Sequence, residues 1–436
     1  MHRRRIIIRH SLASVVALAV FGGSRFLYNV IIGRKFGLEV LGWANSLISQ
    51  AFFLAGFLAF FSVALGKYTA EFLGRGERGR IGRITSLSFA APLLGLLLAP
   101  LNFSIAFLST LRAFQLTFRA FIYGLHRGEV YAYTILAAFA AFLLGFLLPD
   151  PLAPYYLLLG TVTIIAIAYV ARRGYLARPT KEDVALLISY SSYAFIGTIA
   201  GIFLLQAPYF LTEKLAGREA SGVVAAVLSA SFLLGYLPQV MQSAIVPLYA
   251  YDHGKRNVEA AKRLAKVSAS FIQLATAVAV FLMILVGGPA IRILFGFTPG
   301  PEFYVSLLAV EIYVAYNPLI NLLSATAYVK DSALVALSGA VVAGTSWLLL
   351  IPHLGPLGAP LGLLAGYAVI FFLTHAVVWK KFSLSPKVSE PLLLALPLQV
   401  VGFFSRPLAL FLLLLYLMLE RGKLEEALRL FRGRVS

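Results

Sequence analysis

Uninterrupted apolar runs recur along the whole chain, with short polar breaks between them. A helix needs about 20 apolar residues to cross the hydrocarbon core of a bilayer, and these runs are long enough. They are continuous and lack the alternation of a lipid-facing β-strand, so helices are predicted. The twelve predicted spans are 11–32, 43–66, 84–99, 103–123, 131–149, 154–173, 186–211, 223–247, 265–286, 303–327, 332–351 and 358–379.

A last apolar stretch runs from Pro391 to Leu419 and is broken by "SRP" at residues 405–407. It is interpreted either as a tight hairpin of two short spans or as one long tilted helix, and we favour the hairpin. The fold class is therefore an all-α polytopic membrane protein with 14 transmembrane helices, or 12 to 13 if this stretch does not form two spans.

The first span has a second interpretation. Four arginines, ending with Arg9, precede the apolar run "SLASVVALAVFGG", in which Ala17 and Ala19 resemble a signal-peptide cleavage pattern. The apolar character resumes after Arg25, and the segment has a counterpart at 190–212, which favours a retained helix.

Composition and charge agree with a membrane protein. Hydrophobic residues make up 60% of the 436 positions, charged residues 13%, and mean hydropathy is +0.87, which leaves too little polar surface for a water-soluble globule. If the N-terminus is cytoplasmic, 28 of the 37 Lys and Arg residues lie in inner segments and 6 in outer loops, so both termini are predicted to be cytoplasmic. The net charge of +19 is spread over short loops without a basic patch, which argues against nucleic-acid binding.

Cofactor chemistry finds no support in the residue types. The chain has no cysteine, and no pair among its six histidines has the spacing of a metal motif. Short outer loops offer poor positions for the catalytic carboxylates of a membrane glycosyltransferase. We therefore predict no metal, no cofactor and no enzymatic activity.

One polar motif occurs twice. "GLEVLG" begins at Gly37 and "GREASG" at Gly217, 180 positions later, and the spans before and after each motif overlie at the same offset. Glycine tolerates the positive φ that a turn at this point requires. The repeat predicts two parallel six-helix lobes related by a pseudo-twofold axis along the membrane normal: 1–180 and 181–380, with 381–436 as a C-terminal hairpin and cytoplasmic amphipathic tail.

Four segments carry a resemblance over nearly the whole chain to the polysaccharide transporter family, the O-antigen-type flippases of lipid-linked oligosaccharides. They are "FGGSRFLYNVIIGRKFGLEVLGWANSL", "KYTAEFLGRGERGRIGRI", "AGIFLLQAPYFLTEKLAGREASGVVAAVLSAS" and "IPHLGPLGAPLGLLAGY". That family belongs to the multidrug/oligosaccharidyl-lipid/polysaccharide exporter superfamily. The resemblance implies two six-helix lobes, often with two added C-terminal helices, and places Arg25 where lipid II flippases carry an arginine that lines the central cavity.

Buried basic residues are the candidate binding groups. All other Lys and Arg residues lie in loops or near span ends, whereas Arg25, Arg112 and Arg119 lie deeper in predicted spans. An ionised arginine there costs about 2.5 to 3.5 kcal/mol unless it faces a cavity or a partner. Arg112, Gln115 and Arg119 share one helix face, and Arg25 shares a face with Asn29. A guanidinium donates two parallel hydrogen bonds to phosphate oxygens, so this set predicts a diphosphate site. Arg119 lies near enough to the inner boundary to extend to the headgroups instead.

The second lobe carries a candidate coupling or gating set of Glu311, Asn317 and Pro318. Glu311 is the one acidic residue inside a predicted span, and it either exchanges a proton or pairs with Arg112 or Arg119. Pro318 is expected to kink its helix. The family's sodium site needs acids on spans 7 and 11, and those spans lack them at core depth; Pro208 stands where many resembling sequences have aspartate.

The predicted function is transfer of a polyprenol-diphosphate-linked oligosaccharide, or a similar anionic lipid-linked glycan, from the inner to the outer leaflet of the cell membrane by alternating access. The alternatives are an ion-coupled multidrug antiporter on the same fold and, with less support, a membrane glycosyltransferase. The inner basic loops are expected to contact anionic headgroups. The glycan, the carrier, the coupling ion and the oligomeric state are left open by the sequence.

Overall fold

Helices form all the regular secondary structure of the part of the chain that the structure describes. The structure is a computed structural model that describes residues 2–236, 245, 248, 249, 252, 255, 257–423 and 425, with side chains at residue 13 and from residue 15 onward. Most of the predicted tail, the end of predicted span 8 and much of the loop after it lie outside the described residues. The remaining chain folds into two compact units, Met1–Lys214 and Leu215–Ser436.

The first unit is built from seven described helices, the last of which ends just beyond its boundary. They are α1 (His2–Leu58), α2 (Ser62–Arg75), α3 (Arg78–Ala90), α4 (Phe103–Gly124), α5 (Gly128–Gly145), α6 (Ala153–Arg172) and α7 (Lys181–Ala216), with a 3-10 helix at Ala91–Leu98. Predicted span 43–66 is not one helix, because a turn at residues 59–61 separates α1 from α2.

The second unit contains seven further described helices. They are α8 (Arg218–Ser231), α9 (Val258–Phe295), α10 (Pro301–Ser324), α11 (Val329–Leu354), α12 (Gly358–Phe382), α13 (Glu390–Gly402) and α14 (Arg406–Leu419), with 3-10 helices at Phe232–Gly235, Gly355–Leu357 and Pro386–Ser389. The predicted lobe boundaries at residues 180 and 380, and the symmetry between lobes, stay predictions.

Side chains of helix α7 contact helices α1 and α3 of the first unit. Phe53 of α1 contacts Phe203 with ring centroids 5.8 Å apart, and Phe57 contacts Phe195 at 5.3 Å. At the start of α7, Asp183 is buried and accepts a hydrogen bond from Arg83 of α3 at 2.7 Å. Apolar packing and this ion pair together hold α7 to the helices that precede it.

Length and surface identify a polytopic membrane protein. Ten helical segments among the described residues are long and apolar enough to cross a membrane. One of them, Val329–Phe382, holds two predicted spans, and another, Val15–Leu58, holds parts of two. Large apolar side chains project outward from many helices, for example Ile164 at 71% exposure and Phe372 at 65%, and such a surface is suited to lipid rather than to water.

The repeated glycines have the same backbone conformation. Gly37 interrupts α1 with φ 86° and ψ 172°, and Gly217 precedes α8 with φ 93° and ψ 172°. This region of conformational space is essentially restricted to glycine. The predicted positive-φ turn is therefore confirmed at both copies of the motif, 180 positions apart.

The apolar stretch after residue 390 forms a hairpin, as favoured from the sequence. Helix α13 ends at Gly402, and α14 begins at Arg406, where the Ser405 side chain accepts a hydrogen bond from the Leu408 amide. The two helices pack side by side and antiparallel: the Tyr416 hydroxyl near the end of α14 donates to the Pro391 carbonyl near the start of α13 at 3.3 Å. The break at "SRP" thus closes a turn between two short helices.

Candidate functional site

Arg112 is held by a neighbour on its own helix and by two aromatic rings. Helix α4 begins after Asn102, whose side chain accepts a hydrogen bond from the Ile105 amide at 3.0 Å. One turn separates Arg112 from Gln115, and Arg112 Nη1 donates to Gln115 Oε1 at 2.6 Å. The Arg112 Cζ atom lies 4.7 Å from the centroid of Phe21 and 4.6 Å from that of Phe52. The guanidinium is thereby oriented by neutral groups.

Arg25 of α1 lies beside the same ring of Phe52. Its Nη2 donates to Ser49 Oγ at 3.2 Å, and its Cζ lies 4.9 Å from the ring centroid of Tyr209 on α7. The distance from Arg25 Cζ to the Phe52 centroid is 6.0 Å. Since Arg112 Cζ lies 4.6 Å from that centroid, the two guanidinium carbons are at most about 11 Å apart, the sum of the two distances.

Aromatic hydroxyls complete the surroundings. Gln115 donates from its Nε2 to the Tyr131 hydroxyl on α5. Tyr155 of α6 packs edge-on against Phe52, with centroids 5.7 Å apart, and interacts electrostatically with Arg25 and Arg112. Side chains from α1, α4, α5, α6 and α7 therefore converge on two guanidinium groups inside the first unit.

No carboxylate neutralises these arginines within the part of the chain that the structure describes. The salt bridges there join other residues, such as Arg83 with Asp183 and Arg75 with Glu71. The Nε atom of Arg25 is buried and has no hydrogen-bond partner. A desolvated cation without a counter-ion is costly. An anion with acceptor oxygens is the chemical group that can neutralise these guanidinium charges and accept their unused hydrogen bonds.

The remaining predicted binding residues lie at different depths. Arg119 is exposed on α4, with its Cζ 5.8 Å from the centroid of the Tyr123 ring. It lies nearer the C-terminal end of α4 than Arg112 and Gln115, with which it was predicted to share a helix face. Asn29 is fully buried, and its Oδ1 accepts a hydrogen bond from Asn45 Nδ2 at 2.9 Å. That bond joins the parts of α1 on either side of Gly37, which is a structural contact; its predicted contact with a ligand stays a prediction.

The candidate coupling residues lie on α10 in the second unit. Glu311 is fully buried, and its Oε1 accepts a hydrogen bond from Gln399 at 3.0 Å. Asn317 Nδ2 donates to the Tyr313 carbonyl at 2.8 Å, one turn earlier on the same helix. Pro318 follows within the helix, which continues to Ser324. Coupling and gating by this set stay predictions.

Apart from Gln115, which was predicted to share a helix face with Arg112, the partners of the arginines were not identified from the sequence. The chain has 34 phenylalanines and 21 tyrosines, so composition does not single out Phe21, Phe52, Tyr155 or Tyr209. Phe21 lies four residues before Arg25 in α1, but its ring contacts Arg112 of α4. Ser49 and Phe52 come from the part of α1 beyond Gly37, whereas Tyr155 and Tyr209 come from α6 and α7.

Comparison with known proteins identifies the fold. Neither protein-family models nor curated protein sequences match the chain. An inward-facing multidrug resistance MATE transporter of the MOP superfamily matches with TM-score 0.66 and 13% identity, covering 85% of this chain and 98% of the other. The lipid II flippase MurJ, in an inward closed conformation, matches with TM-score 0.65 and 12% identity, covering 95% and 99%. The chain has the fold of MOP superfamily transporters.

A third structure bears on pocket charge. A MOP superfamily transporter from Pyrococcus furiosus matches with TM-score 0.56 and 15% identity, covering 88% of this chain and 96% of the other; it is described as having a binding pocket of reverse polarity that suggests a different function. The predicted superfamily resemblance is confirmed at the level of fold. Since one fold serves several cargoes, the cargo must be argued from the site.

Proposed function

We propose that this protein is a flippase that moves a polyprenol-diphosphate-linked oligosaccharide, or a similar anionic lipid-linked glycan, from the cytoplasmic to the outer leaflet. The observation that carries this proposal is the pair Arg25 and Arg112, which share the Phe52 ring and have no carboxylate partner among the described residues. A pocket with unpaired guanidinium groups attracts anions and repels cations.

The geometry favours a diphosphate over a single charge. Arg25 and Arg112 approach one ring from two helices, so their free N–H groups can contact adjacent phosphates of one headgroup. Gln115 occupies one nitrogen of Arg112 and orients the guanidinium before the ligand binds. Such preorganisation reduces the ordering cost of binding. Arg119, exposed on the same helix, provides a further cation along the entry path.

Alternating access supplies the transport step. The headgroup binds at the arginines while the polyprenol tail stays in the bilayer, and a conformational change then exposes the site to the opposite side. The protein is placed in the cell membrane with both termini in the cytoplasm, where the inner basic loops contact anionic headgroups. Transport of a lipid-linked cargo needs no covalent step.

The multidrug antiporter is the competing function on this fold. Its cargo is cationic in the usual case, and the site in the first unit offers such a cargo no carboxylate among the described residues. One structural neighbour is described as having a binding pocket of reverse polarity that suggests a different function, so pocket polarity differs among proteins with this fold. The charge of the bound ligand therefore discriminates the two functions.

A flipping assay tests the proposal. Protein is reconstituted in vesicles with a fluorescent polyprenyl-diphosphate oligosaccharide, and the fraction that reaches the opposite leaflet is followed. Loss of one charge-assisted contact costs about 1.5–3 kcal/mol, so Arg112→Ala should weaken headgroup binding by roughly 10- to 150-fold. Arg112→Lys should weaken it too, because lysine keeps the charge but not the fork.

Arg75→Ala is the matched control, since Arg75 is exposed and pairs with Glu71 on α2. It should flip lipid at the wild-type rate. Wild-type activity of both Arg112→Ala and Arg25→Ala, with folded protein confirmed by size-exclusion chromatography, would refute the assigned cargo. Export of a cationic dye with no movement of the diphosphate lipid would establish the antiporter instead.

A further inference from the structure

A buried carboxyl and a buried amide face each other in the second unit. Glu311 of α10 and Gln399 of α13 are both 0% exposed. Gln399 Nε2 donates to Glu311 Oε1 at 3.0 Å and to the Ala277 carbonyl of α9 at 3.4 Å. The amide therefore joins three helices and has no hydrogen left to donate.

Two oxygen atoms of this pair lack a hydrogen-bond donor among the described residues. Glu311 Oε2 and Gln399 Oε1 are buried, and neither has a hydrogen-bond partner among the described residues. Both oxygens can only accept hydrogen bonds when the carboxyl is ionised. The ionised carboxylate is then a buried charge that receives a single hydrogen bond, the one from Gln399. A proton on Oε2 converts that oxygen into a donor, and the Gln399 carbonyl oxygen is the acceptor on the group it already contacts. One proton thus satisfies both leftover atoms.

We propose that Glu311 and Gln399 form a proton-binding site, closed by two hydrogen bonds between a carboxylic acid and an amide. Proton binding neutralises the carboxylate and joins it twice to α13. Proton release passes the proton to water and removes the hydrogen bond from Glu311 Oε2, so two acceptor oxygens without a donor remain on the paired groups and the pair is weakened. The C-terminal hairpin of α13 and α14 is therefore the element that responds to protonation.

The titratable groups around the pair do not supply a competing charge. Tyr416 of α14 interacts electrostatically with Glu311 and with Glu420, and its hydroxyl donates to the Pro391 carbonyl. On α12, His375 bonds to Ser389 and to the Phe371 carbonyl, and Tyr367 packs on Tyr316 of α10. Helix α9 carries no titratable residue from 267 to 291, and α13 carries Glu390 at its first residue. The charged residues of α8 and the titratable residues of α11 lie at the ends of their helices; they are Arg218, Glu219, Lys330, Asp331 and His353.

A sodium ion is the competing occupant, because the Gln273 and Thr276 oxygens of α9 are also buried without a partner. Two features favour the proton. Gln399 points one amide hydrogen at the carboxylate, which places positive partial charge where a cation would approach. Gln273 donates to Ser389 at 3.0 Å and to the Ala315 carbonyl, one turn from Glu311 along α10, so its NH2 group contacts neither Glu311 nor Gln399.

Infrared difference spectroscopy of the full chain in lipid nanodiscs tests the site. Wild-type protein should show the carbonyl stretch of a protonated carboxylic acid that disappears on raising the pH and is absent in Glu311→Gln. In Gln399→Leu the band should move to higher frequency, because the acid loses its hydrogen-bond partners. Gln273→Leu is the matched control for a lost buried glutamine, and Glu302→Gln for a carboxylate elsewhere on α10; both should keep the wild-type band.

Three outcomes overturn the inference: no band that depends on Glu311, a band that is unmoved in Gln399→Leu, or loss of the band on exchanging potassium for sodium at constant pH. The last outcome identifies a sodium site. The proton site is tested by the infrared band of Glu311 and Gln399 variants, and the cargo is tested by lipid transfer in Arg25 and Arg112 variants, so the two tests share neither a variant nor a readout. Failure of the proton site thus leaves the proposed cargo untouched, and failure of the cargo leaves the proton site untouched.

Discussion

Replacing the repeated glycines should destabilise both halves of the chain by a similar amount. Gly37 and Gly217 have φ 86° and 93° with ψ 172° in each case. A Cβ atom added at either position meets nothing within 4 Å, so the cost of alanine is backbone strain without a packing term. Strain of this kind costs about 1–3 kcal/mol, which is the expected loss in each of Gly37→Ala and Gly217→Ala.

Helical glycines with equally open surroundings are the matched controls. Gly23 in α1 and Gly288 in α9 also leave a Cβ atom with nothing within 4 Å, and neither has positive φ. Alanine there should stabilise by about 0.5–1 kcal/mol, because glycine is the poorer helix former. The sign of the effect therefore reverses between the two classes of glycine.

Reversible unfolding in detergent micelles, followed by circular dichroism, measures these four variants against the wild type. Destabilisation confined to Gly37→Ala and Gly217→Ala supports the shared turn. Stability of both variants within about 0.5 kcal/mol of the wild type, the range of an ordinary surface change, would refute the assigned conformation. An equal loss in Gly23→Ala would show that the effect does not come from positive φ.

Three further predictions concern other contacts. Asp183 accepts hydrogen bonds from Arg83 and from the Thr180 amide and hydroxyl, so Asp183→Ala should cost about 1.5–3 kcal/mol in unfolding experiments, while Glu71→Ala at an exposed pair stays within about 1 kcal/mol. Trp347 Nε1 donates to the Ala359 carbonyl at 2.8 Å, and Trp347→Phe should cost about 1–3 kcal/mol, because that buried acceptor loses its donor. The hydrogen bond from the Lys423 ammonium lowers the pKa of the Glu390 carboxyl. The stabilisation that this ion pair contributes should therefore be complete above the pKa of an unpaired glutamate and be lost as pH falls through the lowered pKa of Glu390. In Lys423→Met, the pKa of Glu390 measured by ¹³C NMR titration should return toward the ordinary range.

Helices, the hairpin and the repeat were predictable because each leaves a local signal. Apolar length marks a span, "SRP" marks the hairpin turn, and paired glycines mark a conformation that other residues rarely adopt. The turn between α1 and α2 was not predicted, since the run across residues 59–61 is as apolar as a continuous helix. The hydropathy of a segment indicates whether it lies in the membrane, and it does not indicate where the helix is interrupted by a turn.

The site was predictable in its charges and in Gln115, which shares a helix face with Arg112. Arg25 and Arg112 stand out because charge inside a span is rare, whereas their aromatic neighbours are common residues brought together by packing. Asn29 was placed with them by helix periodicity, and the structure shows its side chain bonded to Asn45. Glu311 was found for the same reason as the arginines, but Gln399 lies 88 positions away and carries no charge to mark it.

Ligand binding measured against ligand charge tests the central claim most directly. Isothermal titration of the purified protein with a short-chain polyprenyl diphosphate, the matching neutral alcohol and a quaternary ammonium drug compares the three classes at two salt concentrations. The account predicts that the diphosphate binds, that added salt weakens its binding, and that Arg25→Ala combined with Arg112→Ala abolishes it. Equal binding of the neutral alcohol, or tighter binding of the ammonium compound than of the diphosphate, would contradict an anion site built on these two arginines.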